Sequence, residues 1–565
     1  MNYRKVKDLV SDIKNGEIKL PPMQRAYVWK STQVTDLLDS LYRCYPAGNI
    51  LLWETPDSNV ETRNFAVTQD NTYTTRYLLL DGQQRLTSLK AVMTGECITV
   101  KDSKKPIDIY FNLEHDDKAI DTDIDEQEED EEIDTAEDEM EKEQTKDPLA
   151  DYKKPFIVAN SRIRNDKKWV SVTEVLQSND ITPILKKIGI CDLNDPLYEK
   201  YRSRLDRLQK IKEYPFHLVT LGKDLSHEDV TDIFIRVNSK GIKLKSSDLA
   251  LAQITTKWEG SLKLFENFLS ECQEQKKWDL EMGILIRTLV VIITGQCKFK
   301  PVTYLTREKL EKGWEATKEA ICFALSYLTE NFNIENEELL SSPYFIVFFS
   351  YLVFFQKREI SNQDTALLQK WFVIANAKGR YSHGSSETLL NEDISYVRQK
   401  NLHGLLESMS LQLGLDITSE HLKGKTKRTG YFKTIFSIMR HNRARDWQTN
   451  LVISLEHQGK KDKIEFHHIF PQNILKKHYI SKEIDDIANL TFLGKVTNIK
   501  INDDLPEKYL SRIVEKCGEK ILRDHCIPLD RNLWKLENYI SFLEARRSLL
   551  VELFQNHLNS IEKNI

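Results

Sequence analysis

The sequence predicts an α+β chain of several domains, and three observations lead there. Its 565 residues exceed what one hydrophobic core usually serves, which suggests roughly three or four domains. Residues 1–115 alternate helix-period and strand-like apolar runs, whereas residues 258–413 consist mainly of apolar segments of helix length. Towards the end, Glu465-Phe-His-His-Ile-Phe-Pro471 is followed by Asn489-Leu-Thr-Phe-Leu493 and by Thr497-Asn-Ile-Lys500, residues that a compact hairpin followed by a helix could hold together.

Taken in order, Val6–Ile13 reads as a short helix, Lys19-Leu-Pro-Pro22 as extended chain, and Ser31–Tyr45 as an amphipathic helix capped by Ser31. Gly48–Trp53 and Arg76–Leu80 are apolar runs of strand length and are expected to be buried strands. Asp81-Gly-Gln-Gln-Arg85 follows directly, and Leu86–Met93 continues as helix. Ile107–Phe111 gives another strand after Pro106, and strand patterns return at Phe156–Val158, Trp169–Val172 and Phe216–Thr220. The last leads through His227 into a helix ending near Asn238 and a Ser239-Lys-Gly241 turn. The helical stretch includes Met282–Ile293 and the aromatic run Tyr344–Phe355, which is well under the ~20 residues of a membrane-spanning helix and is expected in a core. No membrane association is expected. The divisions that result are 1–255 with a solvated insert at 116–150, a largely α-helical region 256–420, and a third region 421–565. No internal repeat is visible.

The net charge of −5 looks wrong for a partner of nucleic acid until it is located. Residues 116–147 hold 18 Asp and Glu against three Lys; the remainder carries 68 acids and 78 Lys plus Arg, a net of +10. The acidity therefore sits in one low-complexity segment, read as a linker or as a cover for a basic groove. Eight scattered cysteines form no Cys-x-x-Cys pair, which speaks against a disulfide framework or a zinc knuckle and suits a reducing cytoplasm. The N-terminus lacks the apolar core of a signal peptide.

Hydrolysing a phosphodiester needs a base for water, a cation on the scissile phosphate and a rigid frame holding the two. His468 is the candidate base, since a neutral imidazole accepts a proton near pH 7. His467 points the other way along a strand, so the two have separate roles unless the backbone bends there. Asn498, if it opens a helix across the hairpin, could return its amide oxygen to a cation held partly by His467. Asn489 would fasten the loop through side-chain to backbone hydrogen bonds. The plainer reading is an interfacial histidine pair with two turn asparagines; Ile469, Phe470, Leu490, Phe492 and Leu493 supply an apolar frame beside every proposed functional residue.

Asp81-Gly-Gln-Gln-Arg85 lies between a strand and a helix, where free backbone N–H groups and the positive end of the helix dipole favour phosphate. Gly82 permits close approach, Gln83 and Gln84 are neutral donors, Arg85 can fork onto phosphate oxygens, and Asp81 could hold a cation or orient water. Gln24 and Arg25 could reach the same pocket, and Tyr27 or Trp29 either stacks on a base or packs in the core. Asn238, with Arg236 and Gly241, either joins the pocket or ends a helix. No Gly-x-x-x-x-Gly-Lys-Ser/Thr is present, so nucleotide use would run through this other loop.

Between His421 and Asp446 lie Lys423, Lys425, Lys427, Arg428, Lys433, Arg440, Arg443 and Arg445, interleaved with Tyr431, Phe432 and Phe436. Lys425, Lys427, Arg428, Arg443 and Arg445 are candidate DNA contacts, as is Lys500 beside Asn498; Lys495 flanks it on the other side. Such contacts position the backbone without choosing a sequence. A solvated basic face is the alternative.

The ordered set His467-His468, Asn489, Asn498 with Pro471 resembles the HNH (ββα-metal) nucleases, in the variant found at the C-terminus of GmrSD-type modification-dependent restriction enzymes. The resemblance implies His467 and Asn498 as metal ligands, His468 as general base and Asn489 as loop brace. Pro21–Trp29, Tyr45–Trp53, Leu80–Leu89 and Phe234–Gly241 occur in an order similar to the N-terminal domain of the GmrSD and SspE families. That implies a ParB/sulfiredoxin-like core in which Asp81–Arg85 handles nucleotide phosphates, with hydrolysis of ATP, GTP or CTP coupled to sensing modified DNA. Gly379-Arg-Tyr-Ser-His-Gly384 also resembles a family segment, with a polar loop between helices as its default reading.

The expectation is a cytoplasmic, modification-dependent DNA endonuclease or nickase that defends against phage or foreign DNA. It would use a divalent metal, with Mg2+ the default for an imidazole-plus-amide site and Mn2+ or Ni2+ able to substitute. The alternative is a nucleotide-switched DNA clamp or regulator whose HNH-like domain is structural. A homo-oligomer or partner proteins of a defence system are left open.

Overall fold

A computed structural model of the protein describes residues 3–21, 27, 29–54, 76–97, 99–100, 106–116, 154–225, 229–230, 233, 237, 246–382, 385–455, 464–502 and 504–563. The acidic run, Gln24, Arg25, Arg236, Asn238 and Gly241 lie outside them. The chain divides into two compact units, the first ending at Leu262 and the second running from Lys263 to Ile565.

Eight strands are described in the first unit: β1 (Tyr3–Lys5), β2 (Ile18–Lys19), β3 (Ile50–Glu54), β4 (Tyr77–Asp81), β5 (Ile109–Asn112), β6 (Phe156–Val158), β7 (Trp169–Ser171) and β8 (Pro215–Leu221). They form a five-stranded sheet in the order β1-β8-β3-β4-β2 and a three-stranded sheet in the order β6-β5-β7. The larger sheet is mixed: β3 pairs parallel to β8 but antiparallel to β4, which pairs parallel to β2. The unbroken apolar runs of β3 and β4 follow from burial on both faces. Ile50, Leu52 and Leu79 enter the main core, while Leu51, Trp53, Leu78 and Leu80 meet Val230 and Ala252 on the other side.

The Val6–Lys14 helix buries Val6, Leu9, Val10 and Ile13, one stripe at helical spacing, in that main core. The next helix spans Ser31–Tyr42, and its cap differs from the expected one. Lys30 is the extended residue before it, and the Lys30 N–H is satisfied by Gln33 Oε1 at 2.9 Å, so Ser31 is already helical. The helix after β4 begins at Gln83 rather than Leu86, because Gly82 takes a left-handed φ of +100° and turns the chain at once.

The second unit is helical over most of its length, with helices at Met282–Thr294, Arg307–Phe332, Tyr344–Phe355, Asn362–Lys378, Ser386–Arg398, Gly430–His441 and Tyr539–Glu562. The Tyr344–Phe355 helix buries Phe345 through Val353, as its composition predicts. Among the described residues no helix is long and apolar enough to cross a membrane. The expected boundary at 420/421 falls inside this unit. There the Gly430–His441 helix packs on Asn362–Lys378, and Asn376 Nδ2 donates to Thr434 Oγ1 at 3.1 Å. Of the Gly379-to-Gly384 segment, residues 379–382 are described, and there Arg380 and Tyr381 are interior side chains. Arg380 and Asp393, both wholly buried, form a two-bonded ion pair at 2.7 Å in each bond, and Tyr381 Oη donates to the same carboxylate at 2.6 Å.

Near the C-terminus, β9 (Ile464–His468) pairs antiparallel with β10 (Leu490–Gly494), and the Lys495–Ile501 helix follows β10 without a break. Behind them Trp447, Ile469, Phe470, Leu493, Ile501, Tyr509, Trp534 and Phe542 belong to one apolar cluster. All eight cysteines are free.

Candidate active site

Strand alternation sets the first feature of the C-terminal site. Side chains two residues apart on β9 share a face, so Glu465 and His467 lie together while Phe466 and His468 lie on the other side. Asn498, in the helix that follows β10, reaches the Glu465–His467 face. Its Nδ2 donates to Glu465 Oε2 at 2.8 Å, which turns its Oδ1 towards His467 Nδ1, also at 2.8 Å. The other ring nitrogen of His467 lies 3.3 Å from Tyr509 Oη, whose own hydrogen goes to Ile469 O at 2.9 Å.

His467 is 4 % exposed, packed edge-on against Trp447 and Tyr509. Burial pushes its pKa down to about 4; the Asn498 contact works the other way, and charge on His468 adds to the lowering. The ring is therefore neutral at pH 7, as a metal-binding imidazole must be. Its two tautomers differ in consequence. With the proton on Nδ1, His467 donates to Asn498. With it on Nε2, the donor faces a Tyr509 oxygen whose hydrogen is committed elsewhere, and Nδ1 and Oδ1 aim lone pairs at one place. A divalent cation needs the second arrangement, and neighbouring donors on a small octahedral ion lie about 3 Å apart. His467 and Asn498 thus fit a metal, with Glu465 holding the amide in the required orientation. Among the described residues no group of three or more His, Cys, Asp or Glu could hold a metal ion.

His468 has different neighbours. Its Nε2 lies 2.9 Å from Asp485 Oδ1, and Gln472 Nε2 approaches both, at 2.8 Å from that oxygen and 3.0 Å from His468 Nε2. The His468 bond, ahead of the opposing effect of burial, holds the Asp485 carboxyl below the usual carboxylate range. Among the described residues no hydrogen bond joins this cluster to His467 and Asn498, although His468 is near enough for its charge to act on His467.

Asn489, 0 % exposed, ties the turn after β9 to the turn before β10. Its Oδ1 accepts from Phe470 N, and its Nδ2 donates to Phe470 O and Ile484 O. The C-terminal helix supports this turn from behind. Arg546 Nη1 donates to the carbonyls of Ala488 and Leu490 at 2.8 and 2.7 Å, and Arg547 pairs with Asp486 at 2.7 Å. Asp446 fixes the start of the Asn498 helix: Gly494 N donates to its Oδ2 at 2.8 Å and Thr497 Oγ1 to its Oδ1 at 2.6 Å. Burial opposes its ionisation, yet the bonds from Thr497, Thr449 and Gly494 keep its pKa below normal.

The basic segment divides between surface and interior. Lys427, Arg428, Arg443 and Lys500 are exposed, while Lys425 and Arg445 are partly buried. Lys427 Nζ lies 5.8 Å over the Phe466 ring, and Gly424 N and Lys425 O bond Asp486 Oδ2 and Ile487 N at 2.8 Å each, so this stretch borders the His468 cluster. Arg445 Nη1 donates to Asn450 O. Lys433 and Arg440 turn inward, to Leu340 O and to buried Glu335. Tyr431, Phe432 and Phe436 are interior side chains.

In the first unit, Arg85 takes a different position from the phosphate fork expected of it. Its Nη1 donates to Ala47 O at 2.6 Å, and its Nη2 to Asn49 O and Asp81 Oδ2 at 2.9 Å each. Gly48 makes room for this: at φ +84°, an added Cβ would lie 1.9 Å from Arg85 Nη1. Gln83 and Gln84 are 7 % and 8 % exposed, and Tyr27 Oη bonds Ser88 Oγ at 2.8 Å while its ring packs on the core.

Residues 6–255 match the family described as the GmrSD restriction endonuclease, N-terminal domain. Over those residues the first unit is similar to that domain. The match ends seven residues short of that unit's own boundary at Leu262. It supports a restriction-type nuclease, with DNA as the substrate that a restriction endonuclease family implies. An uncharacterized protein of Methanocaldococcus jannaschii is 24 % identical over 602 residues, 96 % of this chain and 97 % of its own. That likeness extends beyond the GmrSD-like domain through the second unit.

Glu465, Gln472, Asp485, Tyr509, Asp446 and Arg546 join the site without being singled out by the sequence. Glu465 and Gln472 flank the histidines closely enough to be suspected. The others come from 17 to 79 residues away, and only the folded chain brings them to the site.

Proposed function

We propose that the chain is a defence endonuclease in which the second unit hydrolyses DNA at an HNH-type ββα site and the GmrSD-like domain senses modified DNA using a nucleoside triphosphate. The observation that carries the nuclease reading is the pairing of His467 Nδ1 with Asn498 Oδ1 at 2.8 Å, across a hairpin and helix that also bear His468.

In this reading His467 and Asn498 hold a divalent cation, Mg2+ by default. When bound, that ion supplies electrostatic stabilisation of the phosphate charge and of the leaving oxygen. His468 takes the proton of the attacking water. Asn489 keeps the backbone between the two strands rigid, so the base and the ligand pair hold their separation through a turnover. Lys427 and Arg428 neutralise phosphates beside His468, and Lys500 does so beside Asn498, with Lys425, Arg443 and Arg445 extending the basic surface.

For the nucleotide, Asp81, Gly82, Gln83 and Gln84 form the candidate loop, with Gln24, Arg25, Tyr27 and Asn238 as further candidates. Arg85 acts there as the anchor that fixes the Tyr45–Asn49 loop to Asp81.

A cleavage assay on unmodified, glucosylated hydroxymethylcytosine and phosphorothioate DNA tests the reading. Each substrate is run with Mg2+ or Mn2+, with and without ATP, GTP or CTP. Metal-dependent cutting that one modification and one nucleotide enhance supports it. Nucleotide-dependent binding with no cutting under any condition favours the clamp.

A further inference from the structure

We propose that Asp485 is a positioning residue that locks His468 in its Nε2–H tautomer and thereby makes Nδ1 the basic atom. The proposal rests on the reading of His468 as general base.

A carboxylate oxygen has lone pairs and no hydrogen to give. Asp485 Oδ1 lies 2.9 Å from His468 Nε2, so a lone pair on that nitrogen would face another at hydrogen-bond distance. Gln472 Nε2 lies 3.0 Å from the same nitrogen and could give it a hydrogen, but the charge-assisted bond from Nε2–H to the carboxylate is the stronger of the two, which places the proton on Nε2. Gln472 Nε2, itself a donor, gives a hydrogen to the same Oδ1 at 2.8 Å, which places two donors side by side on one acceptor. The carboxylate in turn is held by a fixed frame. Asp485 N bonds Ser481 O, and the adjacent Asp486 is gripped by Arg547 and by Gly424 N. Lys427 is the cation that acts on Asp485 from the neighbouring segment, and it favours the ionised form.

With Nε2 committed, Nδ1 takes a proton from water as the water oxygen bonds to phosphorus. The bond from phosphorus to the leaving oxygen breaks, and the leaving alkoxide is protonated from solvent. The imidazolium that remains carries its charge against Asp485, which stabilises it in the transition state more than in the ground state. A histidine held in the wrong tautomer loses rate even when its position is unchanged, as in the catalytic triad of serine proteases.

The test uses full-length protein labelled with 13C and 15N in histidine, with the His468 signals assigned by their loss in His468→Ala. Wild type is expected to show the Nε2–H tautomer. In Asp485→Asn the new amide can turn its NH2 towards Nε2, so the population shifts to Nδ1–H. There kcat should fall on the order of 10- to 1,000-fold, with KM for DNA within about twofold, and Asp485→Glu should recover part of the loss. A wild-type His468 in the Nδ1–H form, or an Asp485→Asn protein with wild-type tautomer and kcat, overturns the proposal. If His468→Ala cuts DNA at the wild-type rate, the base assignment falls while the tautomer spectrum still reports what Asp485 does.

Discussion

Asn489 and Phe470 hold each other at both ends of the peptide: Phe470 N donates to Asn489 Oδ1 at 2.9 Å, and Asn489 Nδ2 donates to Phe470 O at 3.2 Å. A third bond runs from Nδ2 to Ile484 O at 2.9 Å. Removing the side chain in Asn489→Ala strands a buried N–H and two carbonyls, at about 1–3 kcal/mol for each group left unpaired. Urea unfolding of the second unit should show a loss of about 2–4 kcal/mol. Cleavage should fall further than DNA binding, because the turn between His468 and β10 loosens. Unchanged unfolding would remove the brace from the account.

Arg85 makes a prediction that separates charge from geometry. Lysine keeps the charge but cannot reach Ala47 O, Asn49 O and Asp81 at once. Arg85→Lys should therefore behave like Arg85→Ala, destabilising the first unit by about 1–3 kcal/mol and eliminating phosphate release from nucleotide. Gly48→Ala should have the same effect, since its Cβ collides with the guanidinium. An Arg85→Lys protein that releases phosphate normally would return Arg85 to a simple charge role.

His525 predicts the pH dependence of stability. Its ring is fully buried, with Nε2 donating to Arg445 O and Nδ1 accepting from Thr491 Oγ1, and burial lowers its pKa from 6.5 to about 4. Between those two values the unfolded chain binds a proton that the folded chain does not, so stability is full above the upper value and falls as the pH drops. The loss from this group between pH 7 and pH 5 is about 2 kcal/mol, and His557, also lowered to about 4, adds in the same direction. Denaturant midpoints at the two pH values measure it; His525→Gln should flatten the slope.

Arg380 and Asp393 have no exposure to solvent, so breaking the pair leaves a charge without a partner in the interior. Asp393→Ala should cost about 3–5 kcal/mol. Replacing both residues by apolar side chains should restore much of that. Thermal unfolding of the single and double variants distinguishes a required ion pair from one that packing can replace.

Those cases also show how far the sequence can be read. β3, β4 and the Tyr344–Phe355 helix were legible because burial on all sides leaves an unbroken apolar run that no neighbour can disguise. For the candidate site, the structure shows the contact of Asn498 with His467 and the bonds of Asn489 across the turn, both of which the order of these residues led one to expect. Arg85 was not legible: a guanidinium after a strand suits a phosphate as well as a pair of carbonyls, and Gly48, which decides between them, lies 37 residues earlier. Asp485 and Arg546 were hidden for a related reason. An Asp in a polar turn and an Arg in a long helix look like surface residues until the chain closes around them. The Gly430–His441 helix, just past the expected 420/421 division, packs on the Asn362–Lys378 helix and, through Phe432 and Phe436, on Phe466 and Phe492 of the hairpin.

The most direct measurement is DNA cleavage by the full chain with Mg2+ or Mn2+, comparing wild type with His468→Ala and recording DNA affinity on the same preparations. Product is expected from wild type, none from the variant, and affinities within about twofold of each other, since His468 is assigned to the proton transfer and not to binding. A His468→Ala protein that cuts at the wild-type rate would contradict that assignment.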